Sequence, residues 1–359
     1  MCEKENLIQA VNIVGRLATA RSTLPILQNI YLELTDTGLV LRSTDLEQTL
    51  EAKIDAEVKE KGRVTVPARL VTEYLQNNTD HSLTLFTDDL TLHIHSTNHQ
   101  ASFKGLAAEE YPSLPQAKVG QKVELQSEEL VAAINRTIFA AALDDTRPVL
   151  GGLLWRFGGD SLELVGTDGY RLAYTKAKIA TKLTGDYIIP RRSLQELVRI
   201  LGPDKVEVSF AGTQVKFRQG EVELTSRILE GKFPDYAAIL PKKSELKVTV
   251  ASSALAQSLK LASLFSRDSA YSTKLTLEGD KLRLHASSVS LGDNVNEVTL
   301  NTPVDKPFAI SLNAQYLIEA LSHISGEVSL EFVDSKSPIV LRPSAGADYL
   351  YLVMPLRLE

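Results

Sequence analysis

The feature that most constrains this chain is an internal repeat with a spacing of 123 residues. Pro67 and Pro190 are 123 positions apart, and Asn313 follows Pro190 at the same interval. Each opens a similar segment, and a glutamate follows six residues later in every case, at Glu73, Glu196 and Glu319. Several landmarks that keep one interval predict three tandem copies of one domain. We place the copies at residues 1–119, 120–246 and 247–359.

Each copy carries helix and strand patterns in the same order. In the second copy, Leu194, Leu197, Val198 and Leu201 lie at positions i, i+3, i+4 and i+7, which is the apolar stripe of an amphipathic helix. The other copies repeat this stripe, and a further helix is predicted near the start of each. Short alternating segments such as residues 206–210 indicate half-buried strands. The predicted fold class is therefore α+β.

Composition excludes several classes of protein. Lys plus Arg is 39 and Asp plus Glu is 45, a net charge of −6, which disfavours binding nucleic acid by charge alone. Cys2 is the only cysteine, so an intrachain disulfide or a cysteine-rich zinc site is excluded. There is no signal-peptide pattern and no run of about 18 apolar residues. We therefore expect a soluble, cytoplasmic protein without a membrane partner.

The residues that could carry catalysis or bind metal are few. The motifs of nucleotide-binding loops, zinc proteases and serine hydrolases are missing, so no catalytic residue and no cofactor is expected. His93, His95 and His99 invite a metal site, but exposed histidines are favoured because Leu92 and Ile94 take the opposite strand face. Asp45 and Asp168 each follow a threonine at a strand end, where a turn-forming role is favoured over acid catalysis.

Two alternatives stay open at this point. One is an enzyme of repeated α+β architecture with a cleft around Asp168 and Tyr170. The other is a protein-interaction scaffold that never meets DNA. The repeated glutamates do not separate these alternatives, because they lie off the apolar stripes and are expected to be solvated.

Six segments spread over the whole chain are typical of one protein family: Thr23-Leu-Pro-Ile-Leu-Gln-Asn29, Ser43-Thr-Asp-Leu-Glu47, Thr65-Val-Pro-Ala-Arg69, Val165-Gly-Thr-Asp-Gly-Tyr-Arg-Leu-Ala173, Gly231-Lys-Phe-Pro-Asp-Tyr236 and Tyr351-Leu-Val-Met-Pro-Leu-Arg357. They resemble the bacterial DNA polymerase III β subunits, or sliding clamps. The resemblance implies a processivity factor that has no catalytic activity and tethers a polymerase to its template.

The resemblance also implies an assembly. Two chains would close head to tail into a ring of six domains around duplex DNA, with helices inside and antiparallel sheets outside. By match, Phe103 would face Leu264 and Phe265 across the interface between the chains. Candidate DNA contacts, carried over by position, are Arg21, Arg69, Arg136, Arg192 and Arg199.

The family's second site is a surface pocket between the second and third copies. By resemblance it receives a short peptide from the DNA polymerase III α subunit, the clamp loader and other proteins with a clamp-binding motif. The matching residues are Leu150, Thr167, Gly169, Tyr170, Arg171, Leu172, Pro234, Ile239, Asn313, Tyr316, Pro338, Met354, Pro355, Leu356 and Arg357. Three departures from common family patterns, Tyr170, Ala238 and Pro148-Val149, lie beside this pocket.

Overall fold

The computed structural model describes residues 1–18, 24–112, 120–144, 146–179, 181–241, 243–345 and 348–356. In these ranges each of the three copies contains two α-helices. The helices are α1 (Lys4–Val14), α2 (Ala68–Asn77), α3 (Ser127–Ile138), α4 (Arg191–Ile200), α5 (Ser252–Ser266) and α6 (Ala314–Leu321). The α+β prediction and its helix pattern are confirmed.

The strands of the first two copies correspond one to one. The first copy contains β1 (Cys2–Glu3), β2 (Asn29–Thr35), β3 (Gly38–Thr44), β4 (Gln48–Ile54), β5 (Gly62–Pro67), β6 (Ser82–Asp88), β7 (Thr91–His95) and β8 (Gln100–Lys104). The second contains β9 (Gln121–Leu125), β10 (Gly152–Gly158), β11 (Ser161–Thr167), β12 (Arg171–Lys178), β13 (Thr184–Pro190), β14 (Val206–Ala211), β15 (Gln214–Gln219) and β16 (Val222–Arg227).

The third copy has fewer but longer strands. It contains β17 (Leu246–Ala251), β18 (Ser272–Ser288), β19 (Gly292–Asn313), β20 (Glu327–Phe332), β21 (Ile339–Pro343) and β22 (Tyr349–Val353). The pair β18–β19 forms one long hairpin with register shifts on either side of Gly279. It occupies the place of four separate strands in each of the other copies.

The helices form where the apolar stripes predicted them. In α4, Leu194 and Leu197 are fully buried. Leu201 lies just beyond the helix, although its N–H still donates to the Leu197 carbonyl at 3.1 Å. Gly202 and Pro203 follow, and a glycine followed by a proline ends a helix because proline cannot continue it.

The chain divides into two compact units. The first comprises Met1–Ser127 and Gln195–Ile228, and the second comprises Glu128–Leu194 and Leu229–Glu359. These units do not coincide with the three copies. The boundaries at residues 119 and 246 that the repeat predicts are therefore sequence boundaries, and they stay a prediction for folding domains.

Each unit contains an eight-stranded antiparallel sheet built from two successive copies. In the first unit the order is β5-β2-β3-β4-β16-β15-β14-β9, and in the second it is β13-β10-β11-β12-β22-β21-β20-β17. The copies join at the pairs β4–β16 and β12–β22. Strands left out of these sheets form a four-stranded sheet, β1-β6-β7-β8, in the first unit and the β18–β19 hairpin in the second.

Candidate functional site

The turn between β11 and β12 is the first part of the candidate site. The Thr167 hydroxyl donates to the Arg171 carbonyl at 2.6 Å and accepts the Gly169 N–H at 3.1 Å. Oδ1 of Asp168 accepts the N–H groups of Tyr170 and Arg171 at 2.9 and 3.0 Å. The carboxylate of Asp168 is therefore committed to closing the turn, as an aspartate in this position commonly is.

Gly169 is required by the geometry of this turn. Its φ of 93° lies in the left-handed region, which is strained for a residue with a side chain. A Cβ atom on Gly169 would also lie 3.0 Å from Nη1 of Arg147. Arg147 donates from Nη2 to the Asp168 carbonyl at 2.7 Å. Arg147 therefore borders the site, although it was not among the predicted site residues. Its position directly before Pro148-Val149 is the sequence feature that could have indicated it.

Arg171 links the turn to two other segments of the second unit. Its side chain is 7% exposed. Nε donates to Asp168 Oδ2 at 2.9 Å, Nη1 donates to Glu319 Oε2, and Nη2 donates to the Phe139 carbonyl at 2.9 Å. Desolvation lowers the pKa of Arg171. Its interactions with neighbouring groups, including Glu319 and Asp168, raise the pKa by a larger amount, so the net shift is upward. Arg171 positions the wall of the site, and its donors are occupied within the unit.

The start of α6 forms the adjoining wall. Asn313 is the N-cap of this helix, and its Oδ1 accepts the Tyr316 N–H at 3.1 Å. The guanidinium carbon of Arg171 lies 4.2 Å from the centre of the Tyr316 ring, a cation–π distance. Desolvation and the nearby Asp168 carboxylate raise the pKa of Tyr316. The cap and the ring contact fix Tyr316 beside the turn.

The segment after β22 closes the site on a third side. The Met354 N–H donates to the Tyr170 carbonyl, and the Leu356 N–H donates to the Ser311 carbonyl, each at 2.8 Å. Because Ile339 pairs with Val353 in the antiparallel register, Pro338 and Met354 lie next to each other at the strand ends. Pro355 continues this segment and is half-buried. Arg357 lies outside the described residues.

An apolar cluster forms the floor. Leu150 and Leu172 are buried in it together with Leu352, Phe233 and Tyr236. The Tyr236 hydroxyl donates to Glu163 at 2.7 Å, which anchors the segment that carries the exposed Pro234 and Ile239.

The surface of the site is strongly apolar. Tyr170 is 64% exposed, Ile239 50% and Met354 39%. Large apolar side chains that remain this exposed beside a buried floor are typical of a surface that receives another molecule. All predicted pocket residues that the structure describes belong to the second unit, and contacts or strand register join the turn, α6 and the segment after β22.

Of the predicted basic residues, the four that the structure describes lie on helices, and two of them are paired with glutamates. Arg69 in α2 donates to Glu73 at 2.8 Å. Arg199 in α4 donates to Glu196 at 2.6 Å, and Arg16 donates to the same carboxylate at 2.7 Å. The third repeated glutamate, Glu319, holds Arg171. The expectation that these glutamates are solvated holds for Glu73, which is 54% exposed, whereas Glu196 is only 15% exposed and binds two arginines.

The other basic candidates differ in their surroundings. Arg192 in α4 is exposed, and Arg136 lies half-buried in the last turn of α3. Burial and the charge of Arg136 lower the pKa of His323. Arg21 lies outside the described residues.

The predicted interface residues divide into exposed and buried ones. Leu264 in α5 is 54% exposed, and the neighbouring Phe265 is half-buried. Phe103 in β8 is only 3% exposed and packs edge-on against Tyr74 at 5.4 Å between ring centres. Phe103 is therefore packed in the core of the first unit, and its place at an interface between chains stays a prediction.

The structure also bears on a metal site and on a membrane span. The rings of His93 and His95 share a strand face, 6.4 Å apart between centres, and Phe86 stacks on His93. No group of three or more potential metal ligands occurs within the part of the chain that the structure describes. Across the same residues, no helix is both long enough and apolar enough to cross a membrane.

Three family models match the chain in order. They are the N-terminal, central and C-terminal domains of the DNA polymerase III beta subunit, at residues 1–115, 124–235 and 237–357. The matches follow the three copies of the repeat.

Curated relatives and solved structures agree with the family models. A beta sliding clamp from Staphylococcus aureus is 28% identical over 369 residues, covering 99% of this chain and 98% of the relative. A DNA polymerase sliding clamp structure from Pseudomonas aeruginosa has a TM-score of 0.94 at 26% identity, covering 99% of each chain. One from Bacillus subtilis has a TM-score of 0.93 at 26% identity, covering 99% of this chain and 98% of the other.

The repeat, the sheets shared between copies and these matches lead to one conclusion, and they rule out the enzyme alternative around Asp168 and Tyr170. The chain belongs to the DNA polymerase III beta subunit family, the beta sliding clamps, which are non-catalytic processivity factors of DNA replication.

Proposed function

We propose that two copies of this chain close head to tail into a ring around duplex DNA and tether the replicative polymerase through the pocket of the second unit. A ring holds its partner on the template by topology, and tethering raises the effective concentration of the polymerase at the primer end. The bacterial cytoplasm is the inferred location, because the polymerase works there on the chromosome.

The ring proposal rests on one observation: some strands belong to sheets shared between two copies, and others do not. Each eight-stranded sheet joins four strands of one copy to four strands of the next. The four strands β1, β6, β7 and β8 of the first copy and the β18–β19 hairpin of the third have no such partner among the described residues. A second chain supplies the missing half for each of them. Open strand edges of this kind are ready to pair.

The exposed edges indicate where the chains join. By the repeat, β8 corresponds to β16 and β22, which pair with β4 and β12. The first half of β19 corresponds to β4 and β12. We therefore expect β8 of one chain to pair with the first half of β19 of another. Exposed Val295 lies on that half of β19, and exposed Leu264 lies in α5, which packs against the hairpin.

The charges suit a clamp that slides. Net charge is −6, so affinity for the DNA backbone cannot be the main source of retention. Arg69 and Arg199 are exposed but paired with Glu73 and Glu196. Phosphate contacts weakened by neighbouring carboxylates favour movement along DNA over firm binding. Arg192 and Arg136 remain candidate phosphate contacts.

The apolar site in the second unit supports the peptide-binding function. Exposed Tyr170, Ile239 and Met354 surround a buried floor, which suits bulky aliphatic and aromatic side chains. Methionine adapts its shape to different partners. We expect the occupants to be the clamp-binding motifs of the DNA polymerase III α subunit, the clamp loader and other clamp-binding proteins.

Encirclement is tested with nicked circular DNA. The chain, loaded onto the circle, should remain bound in high salt and leave when the circle is cut. Leu264→Arg should lower the native mass from dimer towards monomer and abolish retention. Leu143→Arg, at another exposed leucine of the same unit, should change neither. A salt-labile complex that ignores cutting of the circle would contradict the ring and favour simple surface binding.

Peptide binding is tested separately. A Gln-Leu-Ser-Leu-Phe peptide should bind the chain, and Met354→Ala should weaken it at least fivefold. Val289→Ala, an exposed apolar control in the same unit, should leave the affinity unchanged. If DNA is retained but no peptide binds, the ring survives and the pocket assignment fails. If peptide binds while circles are never retained, the scaffold alternative is favoured.

A further inference from the structure

Two cavities lie beside the segment that follows β22. One, of about 640 Å³, is lined by Met354, Pro355 and Leu356 together with Lys274 and Lys336. The other, of about 470 Å³, is lined by Lys274, His285 and serines of the β18–β19 hairpin. Lys274, Ser311 and Leu356 line both cavities. They therefore form one continuous trough that begins at the peptide site.

The polar groups of this trough are almost all of one kind. Its described lining contains two lysines, one histidine and five serine hydroxyls, and it contains no aspartate or glutamate. Elsewhere on the surface, cations commonly have acidic partners, as Lys281 has in Glu297 at 2.9 Å. The Asp293 carboxylate lies 3.8 Å from Nε2 of His285, so the lining suits an anionic occupant chiefly through its two ammonium groups.

The two lysines are free to bind such an occupant. Lys274 and Lys336 are exposed, and neither has a carboxylate within 4 Å in the described part of the chain. The nearby Asp334 carboxylate is occupied, since it accepts the N–H groups of Lys336 and Ser337 at 2.7 Å and the Ser337 hydroxyl at 3.0 Å. Those backbone bonds, the Ser337 hydroxyl and, to a smaller extent, the charge of Lys336 lower the pKa of Asp334.

We propose that the trough binds acidic residues that flank the apolar motif of a partner peptide, with carboxylates at Lys274 and Lys336. This rests on the proposed peptide-binding function and adds a charge preference to it. The apolar side chains would enter the site around Met354, and the adjoining residues would run along the trough. The trough thereby distinguishes partners that share the same apolar motif but differ in flanking charge.

The test uses labelled peptides and the full-length chain. Gln-Leu-Ser-Leu-Phe is extended with Asp-Asp or with Asn-Asn, at either end, and affinities are measured by fluorescence anisotropy in low and high salt. One of the acidic extensions should bind about fivefold more tightly than its Asn-Asn counterpart at low ionic strength, since two exposed ion pairs contribute modestly. High salt should reduce the difference.

Variants assign the effect to the trough. The double substitution of Lys274→Gln and Lys336→Gln should abolish the preference while leaving the Asn-Asn peptides unaffected. Lys306→Gln, at an exposed lysine of β19 outside the trough, should preserve the preference for acidic extensions. Equal binding of acidic and neutral extensions, or a preference that survives the double substitution, would overturn the proposal. Loss of binding for every peptide would instead contradict the pocket assignment itself.

Discussion

The turns Thr44–Gln48 and Thr167–Arg171 occupy equivalent positions in the first two copies and have the same hydrogen-bonding pattern. In each, the threonine hydroxyl donates to the carbonyl four residues on, at 2.7 and 2.6 Å. The aspartate accepts two backbone N–H groups at 2.9–3.0 Å in each. The third residue has φ near 80–90° in each, 79° at Leu46 and 93° at Gly169.

The turns differ in their last side chain. Among the described residues, the Gln48 side chain donates only to Asp45, and its buried Oε1 has no hydrogen-bond partner. Arg171 donates to Asp168 in the same way but extends to Glu319 and to the Phe139 carbonyl. One difference in a repeated turn thus joins the second turn to two further segments of its unit. The shared aspartate closes both turns, and the role of the arginine in a binding site stays a prediction.

The largest expected effect tests this difference directly. Arg171→Ala should lower the free energy of unfolding of the second unit by about 3 kcal/mol, because it removes a buried guanidinium and leaves the partly buried carboxylates of Asp168 and Glu319 unpaired. Gln48→Ala in the first unit should cost about 1 kcal/mol, the value of one hydrogen bond. Urea unfolding monitored by the single tryptophan, Trp155, reports the second unit, and hydrogen exchange reports both. If the two variants lose similar amounts of unfolding free energy, Arg171 contributes no more to its turn than Gln48 does.

The aspartates should show a smaller difference. Asp168→Asn should cost about 2 kcal/mol and Asp45→Asn about 1 kcal/mol, because only Asp168 also pairs with a charged group. Thermal unfolding of the two variants measures this. With Arg171→Ala as background, the cost of Asp168→Asn should fall to that of Asp45→Asn. A cost that does not change in this double variant would contradict the assigned ion pair.

The left-handed positions should respond with opposite signs. Gly169→Ala should destabilise by about 1–2 kcal/mol, since it adds a Cβ at positive φ close to Arg147. Leu46→Gly should be neutral or stabilise by up to about 1 kcal/mol, because it relieves the same backbone strain. Chemical unfolding of each variant decides the sign. Destabilisation by Leu46→Gly would show that its side chain is needed for packing.

The smallest expected effect concerns the cores of the same two copies. Leu32 lies opposite Val64 in the first copy, where the second has Trp155 opposite Tyr187. The smaller pair lines a cavity of about 410 Å³. Leu32→Trp should therefore stabilise the first unit by about 1 kcal/mol. Leu41→Trp, at a fully buried position outside the cavity, should destabilise it by overpacking. A loss of stability in Leu32→Trp would mean that the cavity cannot accept an indole.

Much of the fold follows from patterns that are local in sequence. The interval of 123 residues predicted three copies, and the stripe around Leu194 and Leu197 predicted α4. The turn-forming role of Asp45 and Asp168 was also predicted, because the hydrogen bonds of an aspartate after a strand reach only two or three residues. The binding roles of the pocket residues stay predictions.

Other features depend on contacts between distant segments. The sequence did not indicate that Glu196 binds Arg16, 180 positions away, or that Arg171 is buried. Nor did it indicate that Phe103 packs edge-on against Tyr74. Burial and ion pairing depend on which surfaces are brought together, and side-chain type alone does not fix that.

Periodicity and turn chemistry are local properties that each copy restates, so the repeat, the fold class and the family of this protein could be predicted from its sequence. The sheets that cross the copies, joining β4 to β16 and β12 to β22, became evident only from the folded chain. Backbone pairing depends on which open strand edges come close together. Strands of similar sequence in different copies offer similar edges, so the sequence does not distinguish between them. That pairing leaves β8 and the β18–β19 hairpin unmatched, which is the basis for proposing a second chain.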